Sequence, residues 1–118
     1  MRHEPSFLKD ILSACRKIEA IVGATSEDSF LKDEVSSAAV LHHLAVIGEA
    51  ISRLSLELTG RHPEVPWRQI VAVRHRIVHA YFDLDWQILW DAATGDIPEL
   101  RRNVLNILAT EFSESELD

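Results

Sequence analysis

Arg74, His75, His79 and Tyr81 fall within one short stretch, and their side chains suit phosphate chemistry. A guanidinium grips a phosphate through two parallel hydrogen bonds and stabilises charge that builds up in a transition state. An imidazole gives or takes a proton near neutral pH. Together they suit cleavage of RNA, whose own 2′-hydroxyl can attack the neighbouring phosphate, so neither a protein nucleophile nor a metal is required. The spacing Arg-x4-His-x-Tyr is short and discriminates weakly. The bland reading is a solvated, arginine-rich helix face, with Tyr81 packed against Trp67 or Trp86.

Charge favours the sharper reading locally. The chain has 118 residues and a net charge of −7, which makes it a poor general nucleic-acid binder because phosphate repels it. Between Arg61 and Tyr81, however, four arginines (Arg61, Arg68, Arg74, Arg76) face one acid, Glu64, and the segment sums to +3. The remainder therefore carries −10, and the segment also holds His62, His75 and His79. Most such clusters are a solvated helix face; the sharper reading is a local anion site on an acidic body.

A metal fits less well. His75 and His79 have i,i+4 spacing, but a metalloprotease helix would place glutamate after the first histidine, where this chain has Arg76. Cys15 is the one cysteine and lies far away in sequence. No metal and no cofactor are expected. His42 and His43 point to different sides of their helix, one at the surface and one packed.

The elements that position these residues are helical. Strand alternation and hairpin turns are nearly absent, whereas helical apolar spacing recurs throughout. Leu8, Ile11, Leu12, Cys15, Ile18 and Val22 form one stripe over about 5–22, ended by Gly23. Thr25 or Ser26 can cap a short turn through Phe30. The longest helix is expected from Asp33 to Leu58, with Val40, Leu44, Ile47, Ile51, Leu54 and Leu58 as a seam, Glu49 pairing with Arg53, and Gly48 allowing close approach. Gly60 closes it, and Pro63 and Pro66 interrupt. A further helix runs from Pro66 or Trp67 to about Tyr81. Asp83 or Asp85 caps the next. Asp96, Pro98 and Glu99 suggest a new cap before Leu100–Phe112, although the last two helices could be one bent helix. The expectation is an all-α antiparallel bundle of about five helices in a single domain over 1–118, frayed at 1–4 and 113–118. No apolar run reaches the roughly 18 residues of a membrane span. The charged N-terminus and lone cysteine fit a cytoplasmic protein.

On a helical wheel, Trp67, Ile70, Val71, Arg74, Ile77, Val78 and Tyr81 share one stripe with Arg74 at its middle. A buried guanidinium needs an acid, an escape to solvent, or a polar cleft; an ion pair is the ordinary solution. Both stripes, on this helix and on the long one, are more than one small bundle is expected to cover. Arg68, Ala72, His75 and His79 form a second stripe beside Arg74.

Longer context narrows the reading. The stretch Val65-Pro-Trp-Arg-Gln-Ile-Val-Ala-Val-Arg-His-Arg-Ile-Val-His-Ala-Tyr-Phe-Asp-Leu-Asp resembles the HepT-like toxins of the HEPN superfamily. Ala45-Val-Ile-Gly-Glu-Ala upstream, and Trp90 followed by Asp96-Ile-Pro-Glu-Leu downstream, resemble the same family in the same order. The resemblance runs from about Leu8 to Leu108. The family's Arg-x4-His-x-Tyr motif falls on Arg74, His79 and Tyr81. His75 stands where the family usually has a polar residue, often asparagine.

The resemblance implies a metal-independent endoribonuclease toxin of a toxin-antitoxin system. Arg74 and His79 would be catalytic, and Arg68 and His75 would bind substrate. It implies a homodimer whose motif helices share a cleft. It also implies a cognate minimal nucleotidyltransferase antitoxin that attaches AMP to Tyr81. RNA is the expected substrate; neither DNA nor a membrane is an expected partner. The alternative is a non-catalytic helical binding module that docks a nucleotidyltransferase or a nucleotide, and a third reading is a purely structural dimeric bundle.

Overall fold

A computed structural model describes residues 3–77 and 84–112. Among them the chain forms α1 (Glu4–Gly23), α2 (Glu27–Phe30), α3 (Glu34–Ser52), α4 (Leu56–Arg61), α5 (Trp67–Ile77), α6 (Trp86–Asp91) and α7 (Ile97–Glu111). A π-helical turn, Ala92–Asp96, joins the last two. The fold is an all-α, HEPN-like bundle, as expected, with more segments than five because two short helices and a break subdivide it.

The centre is α3. It packs most extensively against α1, and also against α5 and α6, while α7 closes the other side of α1. Its expected seam is buried throughout, from Val40 and Ile47 at 0% exposure to Leu54 at 7%. The stripe of α1, including Leu8, Ile11, Cys15 and Ile18, meets it. Truncating one such Leu or Ile to Ala costs about 2–5 kcal/mol in a well-packed core. Arg101 of α7 donates to Glu19 of α1 at 2.7 Å, a half-buried bridge between two core helices.

Several sequence expectations need correction. The long helix does not run to Leu58. It ends at Ser52, and Ser55 starts α4 by accepting from the Leu58 amide at 3.0 Å. The Glu4 carboxylate accepts from the Ser55 amide at 2.7 Å, so the break is fastened to the start of α1. Glu4 is therefore helical rather than frayed. Gly60 lies inside α4, and a methyl group on Gly48 would meet open space, so close approach is not its role. Asp96 makes no capping bond, because α6, the π turn and α7 form one continuous bent path. Asp85, by contrast, does cap α6, accepting from the Ile88 amide at 3.1 Å.

Counting unbroken apolar runs also understated α3. Its 19 residues with mean hydropathy 1.3 are long and apolar enough, by length and composition, to cross a membrane. Its seam is instead the middle of the bundle. A single copy covers the α3 seam; of the stripe expected on α5 it covers Trp67, Ile70 and Ile77 and leaves Val71 and Arg74 exposed, while Val78 and Tyr81 lie outside the described residues.

Candidate nucleic-acid site

Pro63 and Pro66 stop helix propagation after α4, and the chain turns through Val65, which is 2% exposed, into α5. The Trp67 indole N–H donates to the His62 carbonyl at 3.1 Å and fixes the start of α5. From there the helix buries Trp67, Ile70, Val73 and Ile77. That arc is rotated from the stripe read off the wheel: Val73 enters it, while Val71 and Arg74 leave it. Of the three solutions open to Arg74 (an acid partner, an escape to solvent or a polar cleft), the structure shows the second. Arg74 is exposed, and among the described residues no carboxylate pairs with it. The long stem lets it reach solvent from the edge of the apolar face, which removes the cost of burying a charge.

Arg68, Ala72, Arg74 and His75 are all exposed, and Val71 beside them is 39% exposed. Arg68 and His75 line one groove of about 730 Å³. Its walls come from the end of α3, α4 and the turn into α5, and its lining contains no Asp or Glu. Arg74 lies next to His75 in sequence but outside that lining. Arg76 faces the other flank of α5, toward a smaller groove that also holds Asp96. The structure thus brings Arg68 and His75 to one groove and leaves Arg74 and Arg76 outside its lining.

His79 and Tyr81, with Val78 and Asp83, lie outside the described residues. The backbone on either side of them is tied: the Asp85 amide donates to the Ile77 carbonyl at 2.7 Å. The final segment, 113–118, also lies outside.

No described group of three or more His, Cys, Asp or Glu side chains is placed to share a metal. Cys15 is fully buried, and burial followed by the nearby Glu19 charge pushes its thiol up to about 12. It is not a reactive nucleophile. His42 is exposed and His43 half-buried, with ring centroids 5.2 Å apart. Burial, with the neighbouring His42 and Lys17 charges, moves His43 below the ordinary histidine value.

One ionisable cluster was not singled out from the sequence. His62 lies between Glu64 and Glu111, and Arg61 donates to Glu111 at 2.6 Å. Glu111 is about fifty residues away in the chain, so local spacing gave no signal for it.

The family profile described as Ribonuclease HepT-like matches residues 11–107. A Caldanaerobacter subterraneus protein named as a "Putative RNase" is 37% identical over 112 residues, covering 94% of this chain and 99% of that one. A Thermococcus cleftensis protein named "Probable ribonuclease HepT" is 35% identical over 100 residues, covering 85% of this chain and 91% of that one. A Methanocaldococcus jannaschii protein, also named as a "Putative RNase", is 32% identical over 111 residues, covering 94% and 92%. No solved structure matches the chain. The profile spans both helices that frame the α5 face and the segment that follows it, and with these relatives it shows that the chain belongs to the ribonuclease HepT-like family.

Proposed function

We propose that this chain is a metal-independent endoribonuclease, the toxin of a toxin-antitoxin pair, acting in the cytoplasm. The observation that carries the reading is α5: Arg68, Arg74 and His75 are all exposed on a chain of net charge −7, and the groove that Arg68 and His75 line holds no acid. Such a groove can attract a phosphodiester despite the acidic net charge of the chain. The names of the relatives support RNA as the substrate.

Arg74 holds the scissile phosphate. The substrate's 2′-oxygen bonds to phosphorus as the bond to the 5′-oxygen breaks, leaving a 2′,3′-cyclic phosphate and a 5′-hydroxyl. His79 takes the proton from the 2′-hydroxyl or delivers one to the departing 5′-oxygen. Arg74 stabilises the charge that builds on the phosphoryl oxygens, and Arg68 and His75 bind flanking phosphate. A homodimer sets two such faces on a shared cleft. The antitoxin, a minimal nucleotidyltransferase, silences the site by adding AMP to Tyr81.

The test is cleavage of a mixed RNA pool in EDTA by wild type, Arg74→Ala and His79→Ala. Wild type should cut, and each variant should lose about 10²–10⁴ in rate while keeping its helical circular dichroism. Wild-type rates in both variants, or activity abolished by EDTA and restored by a divalent ion, would refute the mechanism. Binding of RNA or nucleotide without any cleavage would select the non-catalytic module.

A further inference from the structure

We propose that the groove bounded by α4, the turn into α5 and the exposed face of α5 is a base subsite that receives an unpaired nucleotide, with its phosphate at Arg68 and His75. This inference rests on the ribonuclease reading and assigns that site its single-strand recognition.

The groove begins with a local sequence conflict. Leu56 occupies the first position of α4 and is 91% exposed; Val71, across from it in the same lining, is 39% exposed. Beneath them Leu54, Val65 and Trp67 are buried and make an apolar floor. One wall is therefore apolar and solvent-facing, and the rim carries Arg68 and His75. A nucleotide has this same division, with a flat face that gains from apolar contact and a phosphate that needs cations. Gln69, also in the lining, offers both a donor and an acceptor to a base edge. The volume of about 730 Å³ lies within the usual range for small-ligand clefts, roughly 300–1,000 Å³.

Charge and apolar surface together fit this occupant. A second groove of similar volume, about 740 Å³, is lined by Asp10, His42, Glu49 and Arg53, with Arg53 bound to Glu49, so no free arginine faces it. A third, lined by Lys9, Arg16 and Lys17, holds cations without an acid, but its only apolar residues are Leu12 and Ala20. The α5 groove combines cations with an apolar floor. A paired duplex hides its base faces inside the stack, so the apolar floor calls for a single-stranded segment. Arg68 and His75 line the groove, so a base seated on the floor would hold its phosphate beside these two side chains.

The experiment uses fluorescent 2′-O-methyl RNA octamers of single base composition, which the 2′-hydroxyl mechanism cannot cut, together with cleavable RNA. Leu56→Glu adds an acid to the groove at a site exposed enough not to disturb the core, where a helix start tolerates glutamate well. Val35→Glu, at an 80% exposed site at the start of α3, is the charge-matched control. Leu56→Glu should weaken octamer binding at least tenfold, flatten any preference among the four bases, and raise KM with kcat nearly unchanged. Val35→Glu should match wild type. Equal binding by the two variants would overturn the subsite. So would a Leu56→Glu protein that has lost a wild-type dimer, because the groove would then hold a second copy. If wild type binds octamers through Leu56 yet cleaves no RNA, the ribonuclease reading fails and the groove stands.

Discussion

His62 and Glu111 fasten the turn that launches α5 to the last residue of α7. The His62 Nε2 contacts the Glu111 carboxylate, and its Nδ1 lies 3.1 Å from Glu64. A neutral imidazole has a single N–H, so no tautomer can serve both carboxylates; only the imidazolium does. Burial pulls the His62 pKa down, but the hydrogen bonds and charges of Glu111 and Glu64 outweigh it and hold the ring above the ordinary histidine value. Arg61 first, then His62, keep Glu111 below the usual carboxylate range. Since Trp67 hangs from the His62 carbonyl, this cluster anchors the base of the candidate site.

Stability should therefore peak in mildly acidic solution. The His62 contribution is complete below the ordinary histidine value of 6.5 and is lost as pH rises through the elevated folded value. The Glu111 contribution runs the other way: it is present above the ordinary 4.5 and is lost as pH falls through the depressed folded value. We expect His62→Ala to cost about 1–2 kcal/mol near pH 6, in line with charged hydrogen bonds, and clearly less at pH 8.5. Urea melts at the two pH values measure this. An equal loss at both would mean that His62 contributes packing alone.

Cys15 offers a simple check on the core. With its thiol pushed to about 12 and fully enclosed by α1 and its neighbours, it should not react with a disulfide reagent at pH 8 in the native protein. In urea it should react completely within minutes, as an ordinary thiol does. Rapid native labelling would show that the α1 stripe opens easily and that the packing described is wrong.

How far the sequence reveals this molecule depends on the range of the forces involved. The seams of α1 and α3 were legible because burial follows a period set by the helix itself. The cap offered at Thr25 or Ser26 was legible, and falls on Ser26, because its partner is three residues away. The break after Ser52 was hidden because the same apolar register continues across it to Leu58, and the Glu4 carboxylate that fastens it comes from the other end of the chain. The wheel misplaced Arg74 because an idealised stripe weighs Val71 and Val73 alike. The tertiary position of α5 against α3 decides which of them is buried. Arg68 and His75 were found by charge and residue type, whereas the apolar half of their groove comes from α4, which periodicity had merged into α3.

The shared cleft requires two copies. The interface is expected to include α5 on the flank of Arg74, outside the groove that Leu56 and Val71 line. Analytical ultracentrifugation at micromolar protein should show a dimer. Arg74→Ala should not dissociate it, because solvent-exposed charges contribute little to association compared with apolar contact. A monomer at all accessible concentrations would remove the shared cleft and leave each α5 face to act alone.

The last prediction concerns control at Tyr81. The cognate nucleotidyltransferase, with ATP and Mg²⁺, should transfer AMP to the tyrosine hydroxyl: a bond forms from the phenolic oxygen to the α-phosphorus, and pyrophosphate leaves. The adduct introduces a phosphate into a neighbourhood whose exposed cations are Arg68, Arg74 and His75. Charge-assisted pairing of that phosphate with Arg74 would occupy the place a scissile phosphate needs, and the adenosine would add bulk. Tyr81→Phe retains the ring and removes the hydroxyl. It should fold, cleave RNA, take no AMP and escape covalent silencing. Intact-mass measurement after incubation with the partner decides the matter. Wild type should gain one AMP and lose cleavage. An adduct on Tyr81→Phe, or none on wild type with an active partner, would place the switch at another residue.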